Sequence, residues 1–321
     1  MTYHRDALHA HPHRHPAVFI PKFSWGFENC YLNYELQVTH PDLLSLLDYV
    51  DNADPLNQLR GNPDLQRSTT HKVTFRRSWK NWTKARDLRF TALWEATRNA
   101  IAHGQVYDAQ TGVRTFMPRN VNGNWHSAIG FFAQTPLDAK KQTLFSTQTE
   151  ADFRNSVDYV TERNTVRNFT LSEELRLNAK VSRHVFDWSI GVRYWNATSK
   201  RPSFATINSF DITYGLNAQI ALPAGFALQT DLKLYQRAGY SDASMNDLRF
   251  VVNARLAKSF FHGRLGLALD GFDLFGGLSN VTKVINAQGI VERWHNSLPS
   301  YIMLQISYKL SKQPSKSKEQ R

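Results

Sequence analysis

Polar side chains that recur at every second position along apolar segments offer the first candidate chemistry in this chain. Asp187, Arg193, Asp211, Asn217, Asp231, Lys233, Arg249, Asn253 and Arg255 all occur in that setting. On extended strands such residues share one face, where they can hold a polar ligand. The simpler reading is that they pair across strands and solvate a polar interior. Asp51, Asn52, Asp54 and Asn62 offer oxygen ligands for calcium, but the spacing lacks the EF-hand pattern. Asp and Asn beside Pro and Gly are ordinary turn formers, and the turn reading is preferred. Trp79, Trp82, Trp94, Trp188 and Trp195 suit either sugar stacking or an amphipathic girdle at a membrane surface, and the girdle is preferred. His4, His9, His11, His13 and His15 cluster near the N-terminus, where imidazoles can bind a metal. Nothing there implies an ordered element to fix them, so residues 1–16 read as a disordered His-rich terminus and no metal or other cofactor is expected. G-x-S-x-G, H-E-x-x-H, P-loop and dinucleotide motifs are all missing. The chain is not expected to be an enzyme.

The elements that must position these residues announce themselves by period two. Phe210, Ile212, Tyr214, Leu216, Ala218, Ile220 and Leu222 alternate with Asp211, Thr213, Asn217 and Gln219. Phe186, Trp188, Ile190, Val192 and Tyr194 alternate with Asp187, Ser189, Gly191 and Arg193. Leu88, Phe90, Ala92, Trp94 and Ala96 do the same, broken by Leu93. Strands with one greasy face are the direct reading, about thirteen in all, many near the roughly ten residues that a tilted membrane strand needs. Short turns at 83–87, 137–141, 182–184, 223–225 and 262–263 separate longer polar stretches at 41–70, 108–125, 198–204 and 280–295. That asymmetry predicts an antiparallel transmembrane β-barrel over residues 17–310, with short periplasmic turns and long extracellular loops.

Composition agrees. Aromatics make up 12% of the 321 residues while mean hydropathy is −0.47, a combination that alternating lipid-facing and polar positions produce. No apolar run approaches the length of a spanning helix. Cys30 is the one cysteine, so no internal disulfide or thiolate metal cluster can form. A formal charge of +12 raises nucleic acid as a partner. The basic residues are spread over turns, strand faces and a tail at 311–321 rather than gathered on one face, so no nucleic-acid partner is expected.

Three longer stretches are more specific. Residues 48–66 read DYVDNADPLNQLRGNPDLQ, residues 98–125 read RNAIAHGQVYDAQTGVRTFMPRNVNGNW, and residues 273–310 carry NAQG ahead of LPSY and a last strand. In order and spacing these resemble the outer-membrane β-barrel family of Bacteroidetes-type TonB-dependent receptors, over roughly residues 17–310. The resemblance implies residence in the bacterial outer membrane and uptake of a scarce nutrient, either a small molecule or a glycan. It also implies insertion by the barrel-assembly machinery, a plug domain, and an energy transducer that pulls on it. Plug, TonB box and the upstream half of such a barrel would precede Met1, so the expectation is a C-terminal barrel portion. The competing expectation is a plugless pore or a surface adhesin built from the same strands. The strand-face residues become lumen candidates, and Asp51, Asn52, Asp54 and Asn62 become extracellular-loop candidates.

Overall fold

The computed structural model describes residues 22–310, apart from 28, 161, 202, 203, 205, 242, 279, 280, 287, 288, 296, 297 and 299. The His cluster and the 311–321 tail lie outside the described residues. Most of the remainder is strand. The chain begins with β1 (Lys22–Phe27), β2 (Cys30–Thr39), β3 (Val50–Asp51), β4 (Asn57–Arg60), β5 (Ser68–Asn81) and β6 (Arg86–Arg98). It continues through β7 (Ala100–Tyr107), β8 (Arg114–Val121), β9 (Asn124–Pro136), β10 (Thr143–Val160), β11 (Glu162–Val181) and β12 (His184–Ser199). Then come β13 (Ile207–Ala221), β14 (Phe226–Ala238), β15 (Leu248–Phe260), β16 (Leu265–Phe272), β17 (Val281–Asn286), β18 (Gly289–Trp294) and β19 (Tyr301–Tyr308).

Seventeen of these form one sheet, and β17 pairs only with β18. Within the large sheet β3, β4, β7 and β8 belong to connections, and the other thirteen strands make an antiparallel wall. In the wall each strand pairs with the next, from β1 and β2 through β5, β6 and β9 to β16 and β19. Among the described residues no register joins β1 to β19. Among the described residues the wall therefore has two open edges, and both faces of β19 are exposed.

Register explains the alternation. Asp187 faces Asn217, Arg193 faces Asp211, and Asn217 faces Asp231, so odd residues of β12, β13 and β14 share one polar face. Trp188 faces Leu216, which faces Leu232, and these even residues form the apolar face. A slip of one residue would turn the whole apolar set of a strand over, which fixes the pairing. Leu93, which interrupts the pattern in β6, sits opposite Thr74 and Ala128 on the polar face.

The six connections at one end of the wall are short. Each carries a non-glycine residue in the left-handed region: Asn29, Ala85, Lys141, Ser182, Ala224 and His262, with φ between 49° and 64°. A tight hairpin needs positive φ to match the strand twist, and L-residues accept it at a cost of about 1 kcal/mol each. The other end differs from the sequence expectation in two ways. The β10–β11 connection is a single residue rather than a long loop. The long polar stretches are also not irregular. The 40–67 connection holds a single helical turn, Leu43–Leu46, and the β3–β4 pair, while the 99–123 connection holds the β7–β8 hairpin. β4 then pairs in parallel with β8, joining the two connections.

Candidate functional site

All nine candidate strand residues fall on the polar face, and most are engaged there. Asp211 is a hub: it is paired with Arg193, lies 3.8 Å from Arg237 Nε, and accepts a 2.9 Å bond from the Tyr240 hydroxyl. Burial is the first cause that pushes the Tyr240 phenol, in the β14–β15 loop, above its ordinary value. Asp187 accepts from the Asn178 amide at 3.3 Å and lies 3.7 Å from Arg176. Arg255 spans Asp270 at 3.2 Å and Gln305 at 2.9 Å, linking β15, β16 and β19. Lys233 lies 3.5 Å from Asp231, Arg249 lies 2.9 Å from Asp247, and Asn253 accepts the Asp273 N–H at 2.9 Å. Asn217 stands in register between Asp187 and Asp231.

This face also holds residues that the alternation did not single out. A groove of about 490 Å3 is lined by Gln148, Glu150, Glu174, Arg193, Asp211, Tyr235, Arg237 and Arg249. Of its three glutamates, Glu150 of β10 and Glu174 of β11 stand on the polar face while Glu173 borders it from the backbone, and two of its arginines come from β14 and β15, with the Arg193–Asp211 pair between them. The groove is thus acidic along one side and basic along the other, an arrangement that binds and orients polar groups by hydrogen bonds and charge. His126 pairs with Asp152 on the same face. No sequence motif flags these residues, since a glutamate or histidine at a polar strand position looks the same whether or not its neighbours converge.

The loop candidates serve the turns. Asp51 accepts the Ala53 N–H at 3.0 Å, and Asp54 accepts the Asn57 amide at 2.8 Å and the Leu56 N–H at 3.0 Å. The Asn57 amide is the main reason the Asp54 carboxyl is held below the usual carboxylate range. Asn62 accepts the Asp64 N–H and donates to the Pro118 carbonyl at 2.9 Å, reaching the β8 strand. Asn52 stands in the same turn. The stretches that carry the family resemblance are knotted together by amides. Asn120 accepts the Gln66 N–H at 2.7 Å and donates to the carbonyls of Gln66 at 2.9 Å and Asn99 at 2.8 Å. Asn99 donates to Gln66 Oε1 and receives the Asn122 amide, and Arg163 reaches the Asn122 carbonyl at 2.7 Å. Gly61 has a specific reason to lack a side chain, because a Cβ there would stand 1.9 Å from the Leu47 carbonyl oxygen. Replacing Asn120 with Leu removes three hydrogen bonds at once. A loss of about 2 kcal/mol confined to these loops is expected. Limited proteolysis should cut within 40–67 and 99–123 faster while the wall resists as before; an unchanged cleavage rate would show that the amides do not hold the loops.

Trp79, Trp94 and Trp188 lie on the apolar face with 46%, 47% and 40% of their surface exposed, and Trp82 occupies the β5–β6 turn under the Lys80 ammonium at 3.7 Å. Trp195 departs from the girdle expectation. It faces Ser209 and Thr170 in register with the odd, polar set of β12, because the strand keeps strict alternation to its end. Trp125, which the sequence reading passed over, takes an apolar-face position next to Ala96 in β6.

One sheet with an apolar and a polar face, short turns at one end and structured connections at the other has the design of a membrane β-barrel wall. The chain belongs to the outer membrane protein beta-barrel family, whose profile matches residues 20–156 and 138–308. That family resides in the outer membrane, as its description states. No curated protein and no solved structure matches the chain.

Proposed function

We propose that this chain is the C-terminal barrel portion of a TonB-dependent outer-membrane receptor that takes up a scarce nutrient, with its plug and TonB box carried on sequence upstream. The observation that carries this reading is the direction of the two open edges. β1 and β19 both run from the long-loop end toward the short-turn end. Joined to each other they would pair in parallel, whereas every register in the wall is antiparallel. Two copies sharing a barrel axis would meet edge to edge in parallel as well. An odd number of additional strands between the edges restores antiparallel pairing throughout, as an upstream barrel segment would provide. The ordered resemblance of the 48–66, 98–125 and 273–310 stretches to TonB-dependent receptors supports the same reading.

In that role the barrel-assembly machinery inserts the wall and lipid covers its apolar face. The polar face lines the lumen, where its acid–base groove contacts the plug and a polar ligand, a zwitterion or a glycan. The chain then acts by binding and gating rather than by catalysis, and an inner-membrane energy transducer displaces the plug. The test is conductance in a planar bilayer. The natural full-length protein should be electrically silent and should conduct once its plug is deleted. Steady conductance with the plug present would favour a pore instead.

A further inference from the structure

Glu173 is the one acidic side chain on the apolar face of the wall strands β2–β19 among the described residues. Its neighbours along β11 on that face are Leu171 and Leu175, and it stands in register with Val192 and Thr149. The basic residues of the same face, Arg77, Arg86, Arg98, Arg163, Arg167 and Lys258, lie toward the strand ends. Both carboxylate oxygens of Glu173 accept hydroxyl bonds from β10, one from Thr147 and one from Thr149. An ionisable group inside a lipid-facing belt is costly and marks a functional position.

Two further features say what meets it. Toward the loop end, Phe153, Phe169, Tyr194 and Phe210 form a cross-strand ladder with ring centroids 4.7, 6.1 and 5.0 Å apart. Rings so arranged on a barrel sit at headgroup level. Glu173 lies two apolar-face positions inside Phe169 of that ladder, roughly 13 Å along the strand at about 3.3 Å per residue, and faces Val192, one position inside Tyr194. With the strand tilted by about 45°, this is roughly 9 Å below the ladder, the depth of the first acyl-chain segment beneath the headgroups. Toward the turn end, an apolar groove of about 500 Å3 starts at Leu175, one apolar-face position from Glu173, and crosses the strands past Ile190, Trp188, Leu216 and Leu234 to Phe250. A lipid of the outer leaflet enters in that orientation, with its linkage at Glu173 and a chain running down the groove.

The geometry points to a lipid-binding site on the outer wall, selective for a lipid whose acyl linkage carries a hydrogen-bond donor. A carboxylate only accepts, and the two threonine hydroxyls leave lone pairs on both oxygens free. An amide N–H or a chain hydroxyl next to the linkage satisfies them, whereas the linkages of a diacylglycerol lipid have no donor to offer.

The natural full-length protein, whose upstream segment closes the wall, can be recovered from vesicles of phosphatidylethanolamine with a minor fraction of an N-linked hydroxyacyl disaccharide lipid and examined by native mass spectrometry. Retained hydroxyacyl lipid should exceed its share of the vesicle roughly tenfold, the effect of one hydrogen bond to a charged acceptor. Glu173→Leu should abolish the enrichment, and Glu173→Gln, which keeps an acceptor oxygen, should retain most of it. Ile190→Trp fills the groove without touching Glu173 and should abolish it too, which keeps the test valid if Glu173→Leu does not assemble. Equal retention of both lipids by the wild type, or enrichment that survives Glu173→Leu, overturns the proposal. Absence of a protease-protected band from the vesicles also overturns it, and is recognised separately from a loss of selectivity.

Discussion

Exported behind a secretion signal, the 321-residue chain on its own is expected to give no heat-modifiable, protease-resistant band in the outer membrane. The reason lies in the edges. Among the described residues β1 offers six residues and β19 eight, each with unpaired N–H and C=O groups on its outer side. In hydrocarbon every such group costs several kcal/mol, so even a few of them exceed the stability of an ordinary domain. Supplying the upstream segment of the natural reading frame should restore the band, and so should any odd number of antiparallel strands long enough to meet both edges. An even number leaves one seam parallel and should fail. A stable, inserted band from the chain alone would overturn the barrel-portion reading, and a plugless pore would then take its place.

Leu234→Arg should destabilise the assembled barrel by about 2–4 kcal/mol, the cost of a cationic side chain near the bilayer midplane. Leu234 lies between Tyr214 and Phe250 on the apolar face. The adjacent Lys233 points the opposite way, and its contact with Asp231 is a partly exposed ion pair at 3.5 Å. Lys233→Leu should therefore cost less than about 1 kcal/mol. Urea unfolding in vesicles measures both, and equal effects at the two neighbouring positions would show that the apolar face does not meet lipid.

Much of the wall was legible because period two is a local property. From Phe186 to Tyr194 in β12 and from Phe210 to Ile220 in β13 apolar and polar residues alternate without a break, so both the strands and the side chains sharing a face could be read from spacing alone. β11 was harder to see, since Glu173 occupies an apolar-face position and blurs its pattern. The polar-face hub at Asp211 was half visible: Arg193 and Asp211 stood out, but Arg237 and Tyr240 reach it only through the β13–β14 register and the β14–β15 loop. Trp195 was misplaced because nearness to a strand end was weighed above its parity. The amide knot left no periodic trace. Asn120, Gln66 and Asn99 are far apart in sequence and are joined only when two long connections fold against each other. Their stretches resembled a family for a reason that spacing does not disclose.

That knot also bears on how the wall forms. From β10 to β16 every strand pairs with the one before it across a connection of at most nine residues, so this block needs only local searches, which are fast. The pairings of β2 with β5, β6 with β9 and β16 with β19 span long connections, and closing each of them restricts a long stretch of chain. The amides of Asn62, Asn99 and Asn120 reduce that freedom for two of the three, by tying the 40–67 and 99–123 connections to each other. In the 273–300 connection, Asp273 accepts the N–H groups of Gly277 and Leu278. The last long connection to close in chain order is the one before β19, the strand that forms one edge of the wall among the described residues.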